Sequence, residues 1–343
     1  TSFIFKEFLE RTINTKKYDF RPTKRFIDSS KRENYLFNSS INGVEEADFI
    51  LLIGTNPRFE ATMLNARIRK AFVNNKTKII SLNDVGELTY DYESFDGKTQ
   101  TIKDIIENNH KISTEIINSK NPMIILGESF QKLKSADYLF SSLKEFLFKN
   151  NKYTTYWNPL NLISADASTV GNLDLDLIDQ SNSLLDDLNK NKFEIIFLLG
   201  QDNLDFKKKD ELIIYQGSHG DRGAEIADLI LPGAAFTEQS GHYTNLEGKI
   251  QKAYKASYPP GDAKEDWQII NDLAEIMNKR KLFNDKDELE SSMFNYLKIK
   301  KAKQSSNHSH KIKADDFVDE ILKIEFKDYY FSNVVARSSK TML

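Results

Sequence analysis

The 343-residue sequence is 39% hydrophobic, which suffices for a substantial core in one large domain or two of ordinary size. Lys and Arg total 48 against 51 Asp and Glu, so the formal net charge of -3 lacks the basic excess of a dedicated nucleic-acid-binding protein. The absence of cysteine excludes disulfides, thiolate zinc sites and thiolate-ligated iron–sulfur clusters within these residues, and no apolar run approaches the roughly 20 residues that cross a bilayer.

Three regions differ in composition. Residues 1–40 mix charged and apolar side chains without a sustained period, and we expect them to form an amino-terminal arm. We assign residues 41–280 to an α/β domain and residues 281–343 to a charged helical tail with a carboxyl-terminal segment. Because the first residue is Thr1 rather than Met, we interpret the sequence as a processed or trimmed product.

The first strong strand signal is the apolar run Phe49 to Gly54, which is typical of a strand buried on both faces of a parallel sheet. Thr55-Asn56 and then Pro57 follow, which suits the cap and first turn of a helix. The helix itself is indicated by apolar residues at every fourth position, namely Leu64, Ile68 and Phe72. The pattern predicts a strand, a tight turn and a helix.

Similar apolar runs recur along the chain, at Lys78 to Asn83, Pro122 to Gly127, Phe193 to Gly200 and Glu211 to Gly217. Helical spacing separates several of them, notably over residues 130–149. This alternation predicts right-handed crossovers and a doubly wound, mostly parallel sheet, so the fold class is α/β. The polar stretch from Asn158 to Asp187 is expected to pass over one edge of the sheet.

The stretch from Gln216 to Gln251 contains six of the fourteen glycines around one short apolar core, Ile226 to Leu231. It predicts a folded irregular ribbon that lies on a sheet. Beyond it, Asp262 and Glu265 have the spacing of a capping box for a helix. That helix has one apolar face, formed by Trp267, Ile270, Ala274 and Met277. The later polar stretch Lys298 to Lys313 is interpreted as a linker.

The turn Gly54-Thr55-Asn56-Pro57 is the first candidate for chemistry. It follows a buried strand, where doubly wound sheets bind phosphates at helix amino termini. It matches neither the Gly-x-Gly-x-x-Gly motif nor a P-loop. Two interpretations stay open, a nucleotide site and a turn that only packs.

Five other groups carry chemistry in principle, and each has a structural alternative. His219 with Asp221 suits acid–base work or loop hydrogen bonding, and His308 with His310 suits a metal or a solvated linker. Glu238 and Glu247 form a carboxylate pair by sequence or are ordinary loop residues. The remaining two are Gly127-Glu128-Ser129-Phe130, which lacks the second glycine of a nucleophile elbow, and Lys298 to Lys303, which is typical of a solvated helix face.

Four blocks of the sequence carry a family resemblance: Arg32 to Phe72, Tyr215 to Gln251, Tyr258 to Ile276 and Asp328 to Met342. In this order they resemble the carboxyl-terminal half of the largest iron–sulfur subunit, the 75-kDa type, of respiratory complex I. The ending, DYYFSNVVARSSKTM, is similar to the mitochondrial version. That half resembles molybdopterin-dependent oxidoreductases in fold, so the resemblance implies a partial α/β domain of the formate dehydrogenase type.

The resemblance also implies where a cofactor once bound. In molybdopterin enzymes, the turn matching Gly54, Asn56 and Pro57 lies beside the pterin dinucleotide, and the stretch matching Ala227 to Lys249 helps frame the cofactor domain. In complex I the molybdenum is absent and the domain serves as a scaffold. We therefore expect a vestigial site, with no catalytic residue, metal ligand or cofactor in this chain.

Iron–sulfur clusters and FMN are expected in partner chains. The partners implied are the amino-terminal, cluster-bearing piece of the same subunit and other subunits of the hydrophilic arm, since the matched region begins after that piece. This implies a split subunit or a fragment, whose uncovered sheet edges and apolar faces require a partner. Neither nucleic acid nor a membrane span is expected.

The leading hypothesis is a non-catalytic, structural part of the NADH dehydrogenase module on the matrix side of the mitochondrial inner membrane. Whether this chain acts as an enzyme by itself stays open. One alternative is a fragment of a molybdopterin-dependent oxidoreductase that binds the dinucleotide at Gly54 to Pro57. Another is a free-standing nucleotide-binding module.

Overall fold

A computed structural model describes residues 1–164, 166–179, 181, 183–201, 204, 206–220, 222–303, 317–325, 329–331 and 333–341. In this part of the chain the strands are β1 (Phe49–Ile53), β2 (Lys78–Leu82), β3 (Glu93–Phe95), β4 (Pro122–Leu126), β5 (Leu160–Leu162), β6 (Ile195–Leu199), β7 (Leu212–Gly217), β8 (Leu229–Pro232), β9 (Gly241–Thr244) and β10 (Ile250–Ala253).

The α-helices of the same residues are α1 (Ser2–Phe8), α2 (Pro57–Glu60), α3 (Thr62–Asn75), α4 (Thr99–Ile106), α5 (Lys111–Asn118), α6 (Glu128–Gln131), α7 (Ala136–Lys149), α8 (Thr169–Asp174), α9 (Leu184–Asn189), α10 (Arg222–Glu225), α11 (Asp266–Asn278), α12 (Lys286–Lys303) and α13 (Val334–Arg337). A π-helical turn spans Leu9–Ile13, and 3-10 turns span Arg32–Asn34, Asn42–Glu46 and Tyr329–Phe331.

The main sheet is parallel and five-stranded, in the order β3-β2-β1-β4-β5. Ile53 at the end of β1 lies opposite Leu82 of β2 on one side and Leu126 of β4 on the other. Every residue of β1 and β4 is buried, as their continuous apolar runs predict. The strand order reverses direction between β1 and β4, so the topological switch point lies there.

Helices cover both faces of this sheet. Leu51 packs with apolar residues of α4, α5 and α7 on one face, and its neighbours Ile50 and Leu52 pack with α3 on the other. Successive strand residues point to opposite faces, so one strand contributes to two cores. The doubly wound α/β fold is confirmed for this part of the chain.

The predicted strands form two parallel sheets and not one. The predicted strands at Phe193 to Gly200 and Glu211 to Gly217 exist as β6 and β7, but they form a separate parallel sheet with β8, in the order β6-β7-β8. The outer edge of β5 is already occupied, because Asn161 forms an antiparallel bridge with Phe37 and the Leu162 N–H donates to the Leu36 carbonyl at 3.1 Å. Among the described residues, no later strand adds at that edge.

The amino-terminal segment packs into the fold. Phe3, Ile4 and Phe8 of α1 are buried in one cluster with Ile270 and Ala274 of α11. The first part of the predicted arm is therefore a helix against the predicted domain. The division of the chain into three regions stays a prediction.

The start of α11 differs from the prediction. Glu265, not Asp262, is the N-cap, and it forms the capping box with Gln268, whose side chain accepts the Glu265 N–H at 3.2 Å. Lys264 is held extended by a parallel bridge to Gly233, so the helix begins only after it. The predicted box was placed three residues too early.

The glycine-rich stretch becomes β8 followed by an antiparallel hairpin of β9 and β10. Its apolar run, Ile226 to Leu231, is not a buried core within this chain, because Leu229 and Ile230 are 48% and 51% exposed. The hairpin turn reaches the segment before β1, where the Phe37 N–H donates to the Leu246 carbonyl at 2.9 Å.

The tail is only partly as predicted. Helix α12 extends to Lys303 and includes the first residues of the predicted linker, while 304–316 lie outside the described residues. Residues 317–325 return to the main sheet, where Leu322 is buried among the residues of its core. Within the described ranges, no helix combines the length and apolar character needed to cross a bilayer.

Candidate functional site at the carboxyl edge of the main sheet

Two glycine turns meet at the switch point. Gly54 follows β1, Gly127 follows β4, and the Gly127 N–H donates to the Ile53 carbonyl at 3.0 Å. Gly54 has φ +66°, and a Cβ there would lie 2.4 Å from the Phe130 nitrogen. A Cβ on Gly127 would lie 2.2 Å from the Gly54 carbonyl oxygen. Both positions require glycine because backbone packs directly on backbone.

Asn56 caps the short helix that follows Gly54, as predicted. Its side-chain oxygen accepts the Arg58 N–H at 3.1 Å, and its Nδ2 donates to the Val85 carbonyl at 2.8 Å. Pro57 occupies the first helical position. The predicted single helix is two, because the backbone leaves the helical region at Ala61. Asn56 thus ties the turn to the loop after β2.

The carboxylate of Glu60 lies at this turn. Its Oε2 accepts the Asn56 N–H at 2.7 Å and the Thr55 hydroxyl, and the Glu128 N–H also donates to this carboxylate. Burial raises the pKa of Glu60 to about 7, and these hydrogen bonds oppose the shift. The residue is 5% exposed, and its Oε1 has no hydrogen-bond partner among the described residues.

This arrangement does not fit the phosphate of a dinucleotide. At the start of α2 the Asn56 N–H donates to the Glu60 carboxylate and the Arg58 N–H donates to the Asn56 side chain, so these amides already have acceptors within the chain. A second anion at the same place would be repelled by Glu60 whenever that carboxyl is ionised. The sequence did not single out Glu60, although an acidic residue in the first turn of a helix is a usable signal.

A second buried charge lies beside the turn. Arg25 is 4% exposed, and its Nη1 donates to the carboxylate of Glu128, the first residue of α6. Its Nε and Nη2 have no hydrogen-bond partner in the described part of the chain. The edge therefore contains an ion pair in addition to the Glu60 carboxyl, and these groups come from three separate parts of the sequence.

The carboxyl-terminal segment 317–325 crosses the same edge. The Asn83 side chain, after β2, donates to the Leu322 carbonyl, and Leu322 itself is 1% exposed. The Ser129 hydroxyl, after β4, donates to the Glu325 carbonyl at 2.9 Å. The Ser129 hydroxyl is thus used in a structural hydrogen bond. The backbone of segment 317–325 covers the carboxyl ends of β2 and β4.

The histidine candidates gather no catalytic group among the described residues. Ser218 Oγ lies 2.9 Å from His219 Nδ1, and the His219 carbonyl accepts the Tyr215 hydroxyl, so the residue has local hydrogen bonds. Its predicted partner Asp221, and also His308 and His310, lie outside the described residues. Across the ranges that are described, no cluster of three or more His, Asp or Glu residues suits a metal ion.

The remaining candidates also have structural roles. Glu238 accepts the Ala235 N–H at 2.9 Å, and Glu247 accepts the Ile41 N–H at 2.8 Å, so each carboxylate stabilises a local turn or a neighbouring segment. In the lysine run, Lys300 forms an ion pair with Asp176. These partners, Ala235, Ile41 and Asp176, do not belong to the Gly54 turn.

An open groove of about 540 Å³ lies between Phe72 of α3 and residues 86–92 of the loop before β3. One wall is held by a hydrogen bond from the Tyr90 hydroxyl to Asn65. The groove adjoins the loop that Asn56 contacts at Val85, and Arg58 donates to the carbonyl of Glu87 in its wall at 2.8 Å.

Comparison with known proteins gives two family matches. Residues 1–276 match the molybdopterin oxidoreductase family, and residues 288–342 match the family of the carboxyl-terminal region of the G subunit of NADH-ubiquinone oxidoreductase. The first match covers most of the chain and includes both parallel sheets.

Individual relatives agree with these families. The chain is 36% identical to the mitochondrial NADH-ubiquinone oxidoreductase 78 kDa subunit of Candida albicans, with 91% of this chain and 44% of the relative aligned. It is 34% identical to the NADH-ubiquinone oxidoreductase 75 kDa subunit of Reclinomonas americana, with 99% of this chain and 52% of the relative aligned. The 78 kDa subunit of Neurospora crassa is also 34% identical, over 91% of this chain and 43% of its own length. The chain spans about half the length of these curated relatives.

Proposed function

The chain belongs to the molybdopterin oxidoreductase family, and from this premise we propose that it is a structural, non-catalytic part of mitochondrial NADH:ubiquinone oxidoreductase, respiratory complex I. Relatives named as 75 kDa and 78 kDa subunits of that enzyme, two of them from fungal mitochondria, support the assignment. Within the complex its place is the NADH dehydrogenase module, on the matrix side of the inner membrane.

The observation that carries the non-catalytic role is the filled carboxyl edge. Glu60 accepts the hydrogen bonds that a phosphate would need, Gly54 and Gly127 bring two backbones into contact, and residues 317–325 cross the ends of the strands. These contacts disfavour the alternative of a fragment that binds a pterin dinucleotide. They favour a structural role for the α/β fold.

The redox chemistry of the complex then lies outside these 343 residues. Thiolates are the usual ligands of iron–sulfur clusters, and these 343 residues contain none. We place the clusters and FMN in partner chains, including the cluster-bearing part that corresponds to the amino-terminal half of the 75-kDa-type subunit. This chain positions that part within the hydrophilic arm.

Purification through an affinity tag on this chain tests the proposal. The assembly recovered from mitochondria should oxidise NADH and contain iron and flavin but no molybdenum, while the chain purified alone should contain none of the three. Stoichiometric molybdenum, or NADH oxidation by the isolated chain, would overturn the structural role. Recovery of the chain without any flavin- or cluster-containing partner would overturn the assignment to complex I.

A further inference from the structure

Strand β8 has the sequence of a buried strand but is exposed. Its residues Leu229, Ile230 and Leu231 form a continuous apolar run like those of β1 and β4, whose apolar side chains are at most 2% exposed. Leu229 and Ile230 are instead 48% and 51% exposed. Because successive strand residues point to opposite faces, β8 lacks cover on both faces.

The exposure continues onto the neighbouring strands. Ile195 of β6 and Leu212 of β7 lie opposite each other in the sheet and are 60% and 43% exposed, and Leu229 lies opposite Ile214 of β7. These side chains form one aliphatic row across the amino-terminal ends of three strands. We call Ile195, Leu212 and Leu229, which share one face, the aliphatic row, while Ile230 points to the opposite face of β8.

Within the described residues, the outer edge of β8 is also unpaired over most of its length. The Asp228 N–H donates inward to the Ile213 carbonyl at 2.9 Å, so by alternation the N–H groups of Leu229 and Leu231 point outward. Among the described residues, Lys264 pairs with the carboxyl end of this edge, because it forms the bridge with Gly233 and its N–H donates to the Pro232 carbonyl at 3.3 Å, and no pairing is found at residues 229–231. Exposed edges are normally protected by charges, proline or irregular backbone, and in β8 these protections flank the apolar residues 229–231 as Asp228 and Pro232 without lying among them.

The main sheet shows that such exposure is not general in this chain. One of its edges is covered at the Phe37–Asn161 bridge, and the backbone after β3 is bridged between Lys98 and Ile321. The β5 edge of the larger sheet is thus covered by the chain itself and the chain is also bridged just past β3, whereas the apolar residues 229–231 of β8 have no such cover among the described residues.

We propose that β8 and the aliphatic row are the docking site for the polypeptide equivalent to the other half of the 75-kDa-type relatives. The relatives contain about as much polypeptide again outside the region that this chain matches. The occupant contributes an extended strand to the outer edge of β8 and apolar side chains to the row, because both the backbone edge and the side chains are uncovered there. This inference rests on the proposed function and adds the surface at which that partner binds.

Two measurements on the full chain test the docking site. Hydrogen exchange at the Leu229 and Leu231 amides is compared between the isolated chain and the assembly purified from mitochondria, and we expect it to slow on the order of a hundredfold in the assembly. In parallel, tagged Ile230→Lys is compared with tagged Val73→Lys, a matched control on α3 that is 49% exposed in the wild type.

We expect Ile230→Lys to lower recovery of the cluster-bearing partner by at least about tenfold, and Val73→Lys to leave it unchanged. The melting temperature of each isolated variant checks that the chain still folds. If the wild-type chain is recovered with flavin and iron but Ile230→Lys has no effect and the two amides stay unprotected, the docking site is overturned and the proposed function stands. If the wild-type chain is recovered with no such partner, both fail.

Discussion

Glu60 is an ionisable residue whose titration follows from its burial. The residue is 5% exposed, and burial raises its pKa from 4.5 to about 7, so the folded state favours the protonated form more than the unfolded state does. The stability that this shift contributes is complete below about pH 4.5 and is lost as the pH rises through 7. At about 1.4 kcal/mol per pKa unit, the loss is roughly 3 kcal/mol.

Replacing Glu60 with Gln should remove that pH dependence. The wild type should lose stability as the pH rises from 5 to 8, whereas Glu60→Gln should not. The free energy of unfolding of Glu60→Gln should therefore increase relative to that of the wild type, by up to roughly 3 kcal/mol. Urea titrations across this range measure it. The exposed Glu46→Gln variant, with the same change in charge, should run parallel to the wild type. A wild-type chain that gains stability relative to Glu60→Gln over this range would contradict the buried carboxyl.

Gly127 offers a test of the backbone contact. In Gly127→Ala the new methyl group would lie 2.2 Å from the Gly54 carbonyl oxygen and 2.5 Å from the Thr55 Cβ, and backbone cannot yield as a flexible side chain does. We expect a loss of about 2 kcal/mol or more in the free energy of unfolding. Gly241→Ala is the control, because a Cβ there meets nothing within 4 Å. Equal effects of the two substitutions would show that the turns are not in contact.

At the scale of elements, the carboxyl-terminal segment 317–325 stabilises the sheet that it crosses. Leu322 is 1% exposed and its N–H donates to the Gly97 carbonyl at 2.6 Å, whereas its neighbour Ile321 is 66% exposed. Leu322→Ala should cost about 3 kcal/mol of stability, whereas Ile321→Ala should cost less than about 1 kcal/mol. Chemical denaturation measures both, and limited proteolysis should cut near the segment faster only in Leu322→Ala.

The start of α11 provides a second test at this scale. Glu265 caps the helix and also forms ion pairs with Lys286 at 2.6 Å and Lys255 at 3.3 Å. Glu265→Ala should therefore lower the free energy of unfolding by about 1–2 kcal/mol. Asp262→Ala, at the position that the sequence predicted as the cap, should change it by less than about 0.5 kcal/mol. A larger loss of stability in Asp262→Ala than in Glu265→Ala would show that Asp262 is the N-cap, as the sequence predicted.

For the whole molecule, the contrast between the two sheets determines its behaviour in isolation. When no partner is present, the aliphatic row and the unpaired part of the β8 edge leave an exposed apolar surface that favours self-association. We expect the isolated chain to self-associate with rising concentration, and Ile230→Lys to weaken this while Val73→Lys does not. Sedimentation velocity measures the effect, and a wild-type chain that stays monomeric at high concentration would contradict it.

The fold class was predictable because strand and helix periods are local. The strands at Phe49 and Pro122 are continuous apolar runs, and burial on both faces follows from that composition alone. The partition into two sheets was not predictable, because the strand at Phe193 has the same kind of sequence as the others. Its place depends on Phe37, which closes the edge of β5 from far away in the chain.

The candidate site divides in the same way. Gly54, Asn56 and Pro57 indicate a turn after a buried strand by residue type, and Asn56 caps the helix as expected. That Glu60 fills the turn depends on how the chain bends at Ala61 and on the approach of Glu128 from the other turn at the switch point. Whether the turn binds no cofactor in the assembled protein stays a prediction.

By itself, the sequence determined the absence of thiolate chemistry, the α/β class and the family, because these depend on composition, local period and ordered motifs. Only the tertiary structure decided that the carboxyl edge of the main sheet is crossed by the chain's own groups and that, within the described residues, β8 is exposed. Both depend on contacts between residues distant in sequence, and local patterns contain no information on which distant segment arrives to cover a surface.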